Sequence, residues 1–350
     1  MIVSFIIVAY NAEKTVDYIL NNLTEQDYEH KKIEILLVDS ASSDSTKKQM
    51  VSFCENFQSE FKRICVLDNP KRTLPCGWNV ALKEVKGDVI LRVDVHTTIP
   101  DDFISMNVNC LKGDENICGG RVTSTITNNS IWQRTILLAE NSMYGGGVAK
   151  FRRSNTCEYV NTLAFAAYRR CVFETVGGYD ERLARTEDNE IHYRMKQAGY
   201  KFLYYPRINS FRMARCTLFK LMKQKYFNGY WIGLTMGVSP RCFSLYHFVP
   251  FAFVLGIIFT SILAAFALAK LALLLWSFYW AIAILMAVLS VDKGSFNSNL
   301  FALPFLFFLL HISYGSGTIV GLVKMPFNRE LKRACYEIEN VKVCMIDQVI

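Results

Sequence analysis

Residues 2–9 form an apolar run broken only by Ser4, and the run stops at Tyr10-Asn11-Ala12-Glu13. So short a stretch, ended by polar residues, predicts a buried strand, and a helical pattern follows it through Leu23. Ile33-Glu34-Ile35-Leu36-Leu37-Val38 predicts a second buried strand ending at Asp39. The polar turn after it (Ser40, Ser42, Ser43, Asp44, Ser45) opens a helix, with Asp44 or Ser43 as its N-cap. Ile64 to Leu67 predicts a third strand, Trp78 to Val85 a helix, and Val89-Ile90-Leu91-Arg92-Val93 a fourth strand ending at Asp94. Apolar strands alternating with helices predict an α/β domain with a mostly parallel sheet covered on both faces. In such sheets ligands bind at the carboxyl ends of the strands, where Tyr10, Asp39 and Asp94 all fall.

The pattern changes after His247. Residues 249–269 and 271–291 contain no charged residue, and only Lys270 separates them. One continuous helix over both would run about 65 Å, roughly twice a hydrocarbon core of about 30 Å, so two crossings are expected. Residues 300–323 form a third apolar run, interrupted by Pro304, His311 and several glycines.

Charge adds to this picture. The 350 residues carry a net charge of +8, concentrated where the apolar region begins. Arg212, Arg215, Lys220, Lys223, Lys225 and Arg241 precede it with no acidic residue among them. Before a hydrophobic span, such a stretch reads as positive-inside charge and anionic-lipid contact rather than as a nucleic-acid surface. Lys324, Arg329, Lys332 and Arg333 follow the third run and also ask for the cytoplasmic side. Three crossings would put them outside. An even number, with the third run re-entrant or interfacial, would satisfy both ends. The opening residues are too short to span and lack the features of a signal peptide, so the N-terminal domain is expected in the cytoplasm. Eleven cysteines without metal-ligand spacing fit a reducing compartment.

Candidate chemistry lies in a few acids. Asp39 fits two roles, accepting hydrogen bonds from a nucleotide base or ribose, or capping the turn behind it. Asp94, at a strand end with His96 two residues on, is suited to hold a divalent cation against a diphosphate. With only oxygen ligands the ion could be magnesium, whereas an imidazole ligand from His96 would favour manganese. Gly177-Gly178-Tyr179-Asp180-Glu181 precedes Thr186-Glu187-Asp188-Asn189-Glu190 at the start of a helix. Acids there serve the helix dipole, or Asp188 serves as a base that takes a proton from an attacking hydroxyl. Gly145-Gly146-Gly147, before Lys150, Arg152 and Arg153, reads as a connector or an acceptor lid.

Together these residues resemble the family 2 glycosyltransferases. Ser4-Phe5-Ile6-Ile7-Val8-Ala9-Tyr10-Asn11 looks like the family's opening strand. Val38-Asp39-Ser40-Ala41-Ser42-Ser43-Asp44-Ser45-Thr46 looks like its Val-Asp-Asp-Gly-Ser-Thr-Asp-x-Thr element, with Ser40 and Ala41 departing from it. Asp94-Val95-His96 stands where the family has Asp-x-Asp, and Glu187-Asp188 matches the block whose aspartate is the catalytic base. A narrower likeness, to bacterial exopolysaccharide enzymes of the succinoglycan glucosyltransferase type, rests on Arg92-Val93-Asp94-Val95-His96, Lys223-Gln224-Lys225-Tyr226-Phe227 and His311-Ile312-Ser313-Tyr314-Gly315-Ser316-Gly317.

The resemblance implies a GT-A fold (α/β, Rossmann-like) followed by C-terminal membrane helices. Residues 1–215 would be a cytoplasmic catalytic domain and 216–247 a basic amphipathic, interfacial segment. Residues 248–323 would form the membrane region of two or three segments, and 324–350 a basic tail. The implied activity is an inverting, metal-dependent hexosyl transfer from a UDP-sugar to a lipid-linked saccharide in exopolysaccharide, capsule or surface-glycan synthesis at the inner membrane. Asp188 would be the base. Tyr10, Asn11, Asp39, Arg92 and Asp94 would bind the donor, Asp94 and His96 a manganese or magnesium ion, and Asp180, Glu187 and Gln224 would stand second-tier on the acceptor side. The alternatives are a processive polysaccharide synthase, against which the absent Gln-x-x-Arg-Trp counts, and a non-catalytic nucleotide-sugar-binding membrane scaffold.

Overall fold

The computed structural model describes residues 1–126, 130–148, 154–214, 217–266, 269–291 and 298–348. In chain order the first elements are β1 (Val3–Ala9), α1 (Val16–Thr24), β2 (Ile33–Asp39), α2 (Thr46–Phe57), β3 (Arg63–Asp68), α3 (Leu74–Leu82) and β4 (Val89–Arg92). Next come β5 (Thr97–Thr98), α4 (Phe103–Cys110), β6 (Ile117–Thr125), α5 (Ile131–Asn141), β7 (Glu158–Val160), β8 (Ala167–Arg169) and α6 (Arg170–Val176). Then follow α7 (Glu187–Gln197), β9 (Phe202–Met213), α8 (Leu218–Thr235), α9 (Val249–Ala265), α10 (Ala269–Ser290), α11 (Leu303–Lys324) and α12 (Glu337–Asp347).

The chain divides into two compact units. The first comprises Met1–Thr123, Lys150–Arg212 and Ala334–Ile350; the second comprises Ser124–Ala149 and Met213–Arg333. Lys150, Arg152, Arg153 and Arg215 lie outside the described residues.

A single sheet in the order β3-β2-β1-β4-β8-β6-β9-β5 organises the first unit, with β7 also paired to β9. From β3 to β4 it is parallel as expected, and β1 and β2 are buried along their whole length. Beyond β4 the pairing turns antiparallel: β8 pairs with both β4 and β6, and β9 with β5 and β7. The sheet is therefore mixed, where the apolar strands had predicted it mostly parallel. β5, β7 and β8 are two or three residues long, too short for a period-2 pattern to register.

Two local expectations shift. The α3 helix begins at Leu74 rather than Trp78, because Pro75 takes a first-turn position where its missing N–H costs nothing. Neither Asp44 nor Ser43 is the N-cap of α2. That position is Ser45, which makes no side-chain cap bond, while Asp44 Oδ1 accepts the Thr46 N–H at 3.0 Å.

Residues 334–348 return to the first unit. There α12 packs on α6 and α3, burying Val341 and Met345, and Gly178 N donates to Ile338 O at 3.0 Å. Gly177 has φ +76° and lies against the Ile338 carbonyl, so no side chain fits there.

In the second unit α11 is one continuous helix. Pro304 sits in its first turn, and its glycines lie where other backbones come close: Gly317 and Gly321 face the Tyr226 and Tyr230 carbonyls of α8. Among the described residues three helices are long and apolar enough to cross a membrane, Leu245–Ala265, Ala269–Ser290 and Leu303–Phe327.

Candidate active site

The carboxyl ends of β1, β2 and β4 and the N-terminus of α7 carry the chemistry of the first unit. Ala9 on β1 is in register with Asp39 on β2. Just beyond, Asn11 takes a left-handed conformation at φ +47° and ties down the loop after β2. Its N–H donates to Ser42 Oγ at 3.0 Å, and its Oδ1 accepts the Ser43 N–H at 2.9 Å. Asp39 is buried and its Oδ2 accepts the Ser42 N–H at 3.2 Å, so the turn-capping role is realised. Ala41, between them, is forced to φ +55°. Tyr10 is 50% exposed at the mouth of this edge.

On the other side of β1 stands β4, with Ile6 opposite Arg92. Two strand spacings separate β2 from β4, about 10 Å. The Arg92 guanidinium is buried between two aromatic rings, 5.1 Å from the Trp78 centroid and 5.4 Å from the Tyr179 centroid. Its Nη1 donates to Asp188 Oδ1 at 2.5 Å. Arg92 Nε, Trp78 Nε1 and Tyr179 Oη are buried with no hydrogen-bond partner among the described residues. The Tyr179 ring is fixed through its backbone: its N–H donates to Asn79 Oδ1 at 2.7 Å, and Asn79 Nδ2 donates to its carbonyl at 2.9 Å.

Asp188 opens α7 with Glu187, and the two neighbours differ in state. Burial is the largest influence on Asp188 and raises its pKa, but the Arg92 charge, His192 and the Arg92 hydrogen bond together outweigh it and hold the carboxyl below its ordinary value. Its side chain stays 41% exposed, so it is ionised and within reach of a ligand. Glu187 is buried, its Oε2 has no partner among the described residues, and burial reinforced by Asp188 pushes it up to about 8. One turn on, His192 is also buried. Its Nδ1 lies 2.9 Å from Thr162 Oγ1 and its Nε2 2.9 Å from Tyr168 Oη. Burial pushes His192 down to about 4 although Asp188 opposes it, so the ring is neutral.

Asp94 belongs to the same cluster. Burial raises its pKa, Arg92 opposes that, Asp188 reinforces it and Arg212 opposes it. His96, two residues on, is exposed, and its Nδ1 lies 3.0 Å from Thr15 Oγ1. No group of three His, Cys, Asp or Glu side chains able to hold a metal ion occurs among the described residues. The local chemistry nevertheless fits one cation shared with a ligand: Asp94 and Asp188 crowd each other electrostatically, and both offer the oxygen donors that magnesium or manganese takes.

Asp180 is buried and engaged by its neighbour: Arg182 Nε donates to Oδ1 at 2.9 Å and Nη2 to Oδ2 at 2.6 Å. Gln224 lies in the second unit, on α8, with Oε1 buried and unpartnered among the described residues. Trp78, Asn79 and His192 escaped the sequence reading. Tyr179 sat inside a motif already singled out, but nothing in the order of residues signalled its ring contact with Arg92.

Residues 4–177 match the family described as Glycosyl transferase family 2. The chain is 30% identical over 185 residues to the succinoglycan biosynthesis protein ExoA of Rhizobium meliloti, covering 49% of this chain and 54% of that protein, about half its length. It is 25% identical over 331 residues to the dolichyl N-acetyl-alpha-D-glucosaminyl phosphate 3-beta-D-2,3-diacetamido-2,3-dideoxy-beta-D-glucuronosyltransferase of Methanococcus voltae, covering 92% of this chain and 97% of that one. Among solved structures, the mannosyltransferase PcManGT from Pyrobaculum calidifontis, in complex with GDP-Man and Mn2+, aligns at a TM-score of 0.53. Its identity is 16%, over 93% of this chain and 87% of that chain, a likeness of GT-A fold alone.

Proposed function

The chain belongs to the family 2 glycosyltransferases, enzymes that use nucleotide-sugar donors, and from that premise we propose an inverting transfer of a hexose from a UDP-sugar to a lipid-linked saccharide. The observation that carries the reading is the Arg92–Asp188 pair beside Asp94, at the edge where parallel strands end. The acceptor oxygen attacks the anomeric carbon while the bond to the departing diphosphate oxygen breaks. The leaving group takes the bonding pair, and the hydroxyl proton passes to Asp188. A weak base suffices when proton transfer is late in an oxocarbenium-like transition state.

Arg92 holds one oxygen of Asp188 and leaves the other for the acceptor. Asp39, inside the loop that Asn11 and Ser42 organise, binds the nucleoside, and Tyr10 at the open edge covers it. Asp94 would hold a divalent cation, which supplies charge stabilisation to the leaving diphosphate. Glu187, neutral beside Asp188, does not compete for the cation.

The dolichyl-phosphate relative supports a lipid-borne acceptor. With the first unit as the catalytic domain in the cytoplasm and the apolar helices in the inner membrane, enzyme and acceptor share a surface, which raises their effective concentration. The decisive experiment is Asp188→Asn with UDP release and donor binding both measured. Turnover should fall by a factor of about 10² to 10⁴ while donor binding survives. Undiminished turnover overturns the assignment.

A further inference from the structure

We infer that the chain crosses the membrane twice, through α9 and α10, and that α11 is a protein-packed helix rather than a third crossing. The inference rests on the membrane reading given above and not on sugar transfer.

Connectivity supplies the first argument. The second unit's long segment, Met213–Arg333, leaves the first unit after β9 and rejoins it at Ala334. Residues 334–348 are anchored to that unit: Val341 and Met345 of α12 are buried, Arg170 Nη2 donates to the Met345 carbonyl at 2.7 Å, and Lys83 Nζ donates to Glu337 at 2.5 Å. A polypeptide that starts and finishes in one folded unit passes through a bilayer an even number of times. Three apolar helices therefore cannot all cross.

Packing decides which one stays out. In α9 only Val254 is buried, and in α10 only Tyr279, Ala283 and Ala287. Their long apolar sides are open, as lipid requires. They run antiparallel: Phe253 stacks on Tyr279 at 4.1 Å, and Gly256 lies against Leu275. At 17 and 22 residues they measure about 26 and 33 Å, close to a hydrocarbon core of about 30 Å. Half of the third candidate stretch, by contrast, is buried within the protein, including His311, Ser313 and Thr318 of α11.

α11 packs on α9 and α10, with Gly315 against the Pro250 carbonyl and His311 Nδ1 3.1 Å from Tyr279 Oη, and most extensively along α8. Gly229 faces Tyr314 and Thr318, Gly233 faces Gly321, and Gly237 faces Met325, so the two helices run in the same direction. If both crossed together with α9 and α10, consecutive crossings would make them antiparallel. That parallel contact rules out four crossings. Moreover α8 carries Lys220, Lys223 and Lys225, whose ammonium groups are costly in hydrocarbon. The α9–α10 hairpin makes the two crossings, and α11, packed against protein, does not complete a third.

The test uses a full-length, cysteine-free chain with single cysteines at the exposed positions Glu55, Lys270 or Arg329, in membranes of known orientation, labelled with an impermeant maleimide. Retention after an alkaline carbonate wash tests membrane insertion separately. Glu55→Cys and Arg329→Cys should label together and Lys270→Cys from the opposite face, each by at least tenfold over the other side. Arg329→Cys labelling opposite Glu55→Cys overturns the inference. So does Lys270→Cys labelling with the other two, even where carbonate retention holds. Should the cysteine-free chain fail to fold, epitope tags at the two ends of the otherwise unchanged chain give the same parity. Equal protease access supports two crossings, and unequal access overturns them.

Discussion

Arg92 and Asp188 stand 96 positions apart in the chain and meet through a single contact, Nη1 to Oδ1 at 2.5 Å. The arginine is buried between Trp78 and Tyr179, so its orientation is set before any ligand arrives. An ammonium group in its place would keep the charge and lose the planar stacking.

Arg92→Lys should therefore keep part of the turnover, and Arg92→Gln should lose at least about tenfold in kcat, the rate cost of about 1.4 kcal/mol in the barrier. KM for the acceptor should change far less than kcat in both. Steady-state kinetics on the purified variants checks this. Equal loss in the two variants would contradict a role that depends on charge.

Glu187 sets an alkaline limit. Its carboxyl titrates at about 8 in the fold and is protonated at neutral pH. Because the folded form binds this proton more tightly than the unfolded chain, the group's contribution to stability declines as pH rises from the ordinary carboxylate range through about 8. Above that, Glu187 becomes a second anion beside Asp188. Glu187→Gln, which mimics the neutral form, should keep activity near neutrality and remove the decline above pH 8. A pH–rate profile of both proteins measures it.

Ala41 sits at φ +55°, where a β-carbon costs roughly 1–2 kcal/mol. Ala41→Gly relieves that strain at the expense of some chain entropy. The substitution should raise stability by about 0.5–1 kcal/mol, visible as a higher melting temperature in detergent, with donor affinity unchanged or better.

A β-carbon at Gly317 would stand 2.1 Å from the Tyr226 carbonyl of α8. Gly317→Leu should separate α8 from α11 at a cost of about 1–3 kcal/mol or more, read as lower yield and earlier unfolding. Gly113, with open space around it, is the control.

Chelation tests the oxygen-rich edge. Removing divalent cations should suppress turnover, with manganese or magnesium restoring it. In Asp94→Asn the cation concentration for half-maximal activity should rise about tenfold or more, whereas His96→Ala, whose ring contacts Thr15, should leave it within about twofold.

Much of this molecule is written locally. Runs of apolar residues closed by Asp39 and Asp94 announce parallel strands with acids at their carboxyl ends, because strand burial and helix periodicity are properties of neighbouring residues. The apolar length of α9 and α10 is likewise a matter of counting uncharged positions. Glu187-Asp188 was recognisable as a pair, but which of the two is ionised was not. That depends on a guanidinium delivered from β4 and on burial against the sheet, contacts that exist only once the chain closes. The antiparallel half of the sheet, the place of α12 and the partner of α11 are of the same kind. They follow from pairings between distant segments, for which the order of residues carries no local signature. Tertiary packing decided these because a side chain's charge state and a helix's surroundings are set by what stands across from it in space.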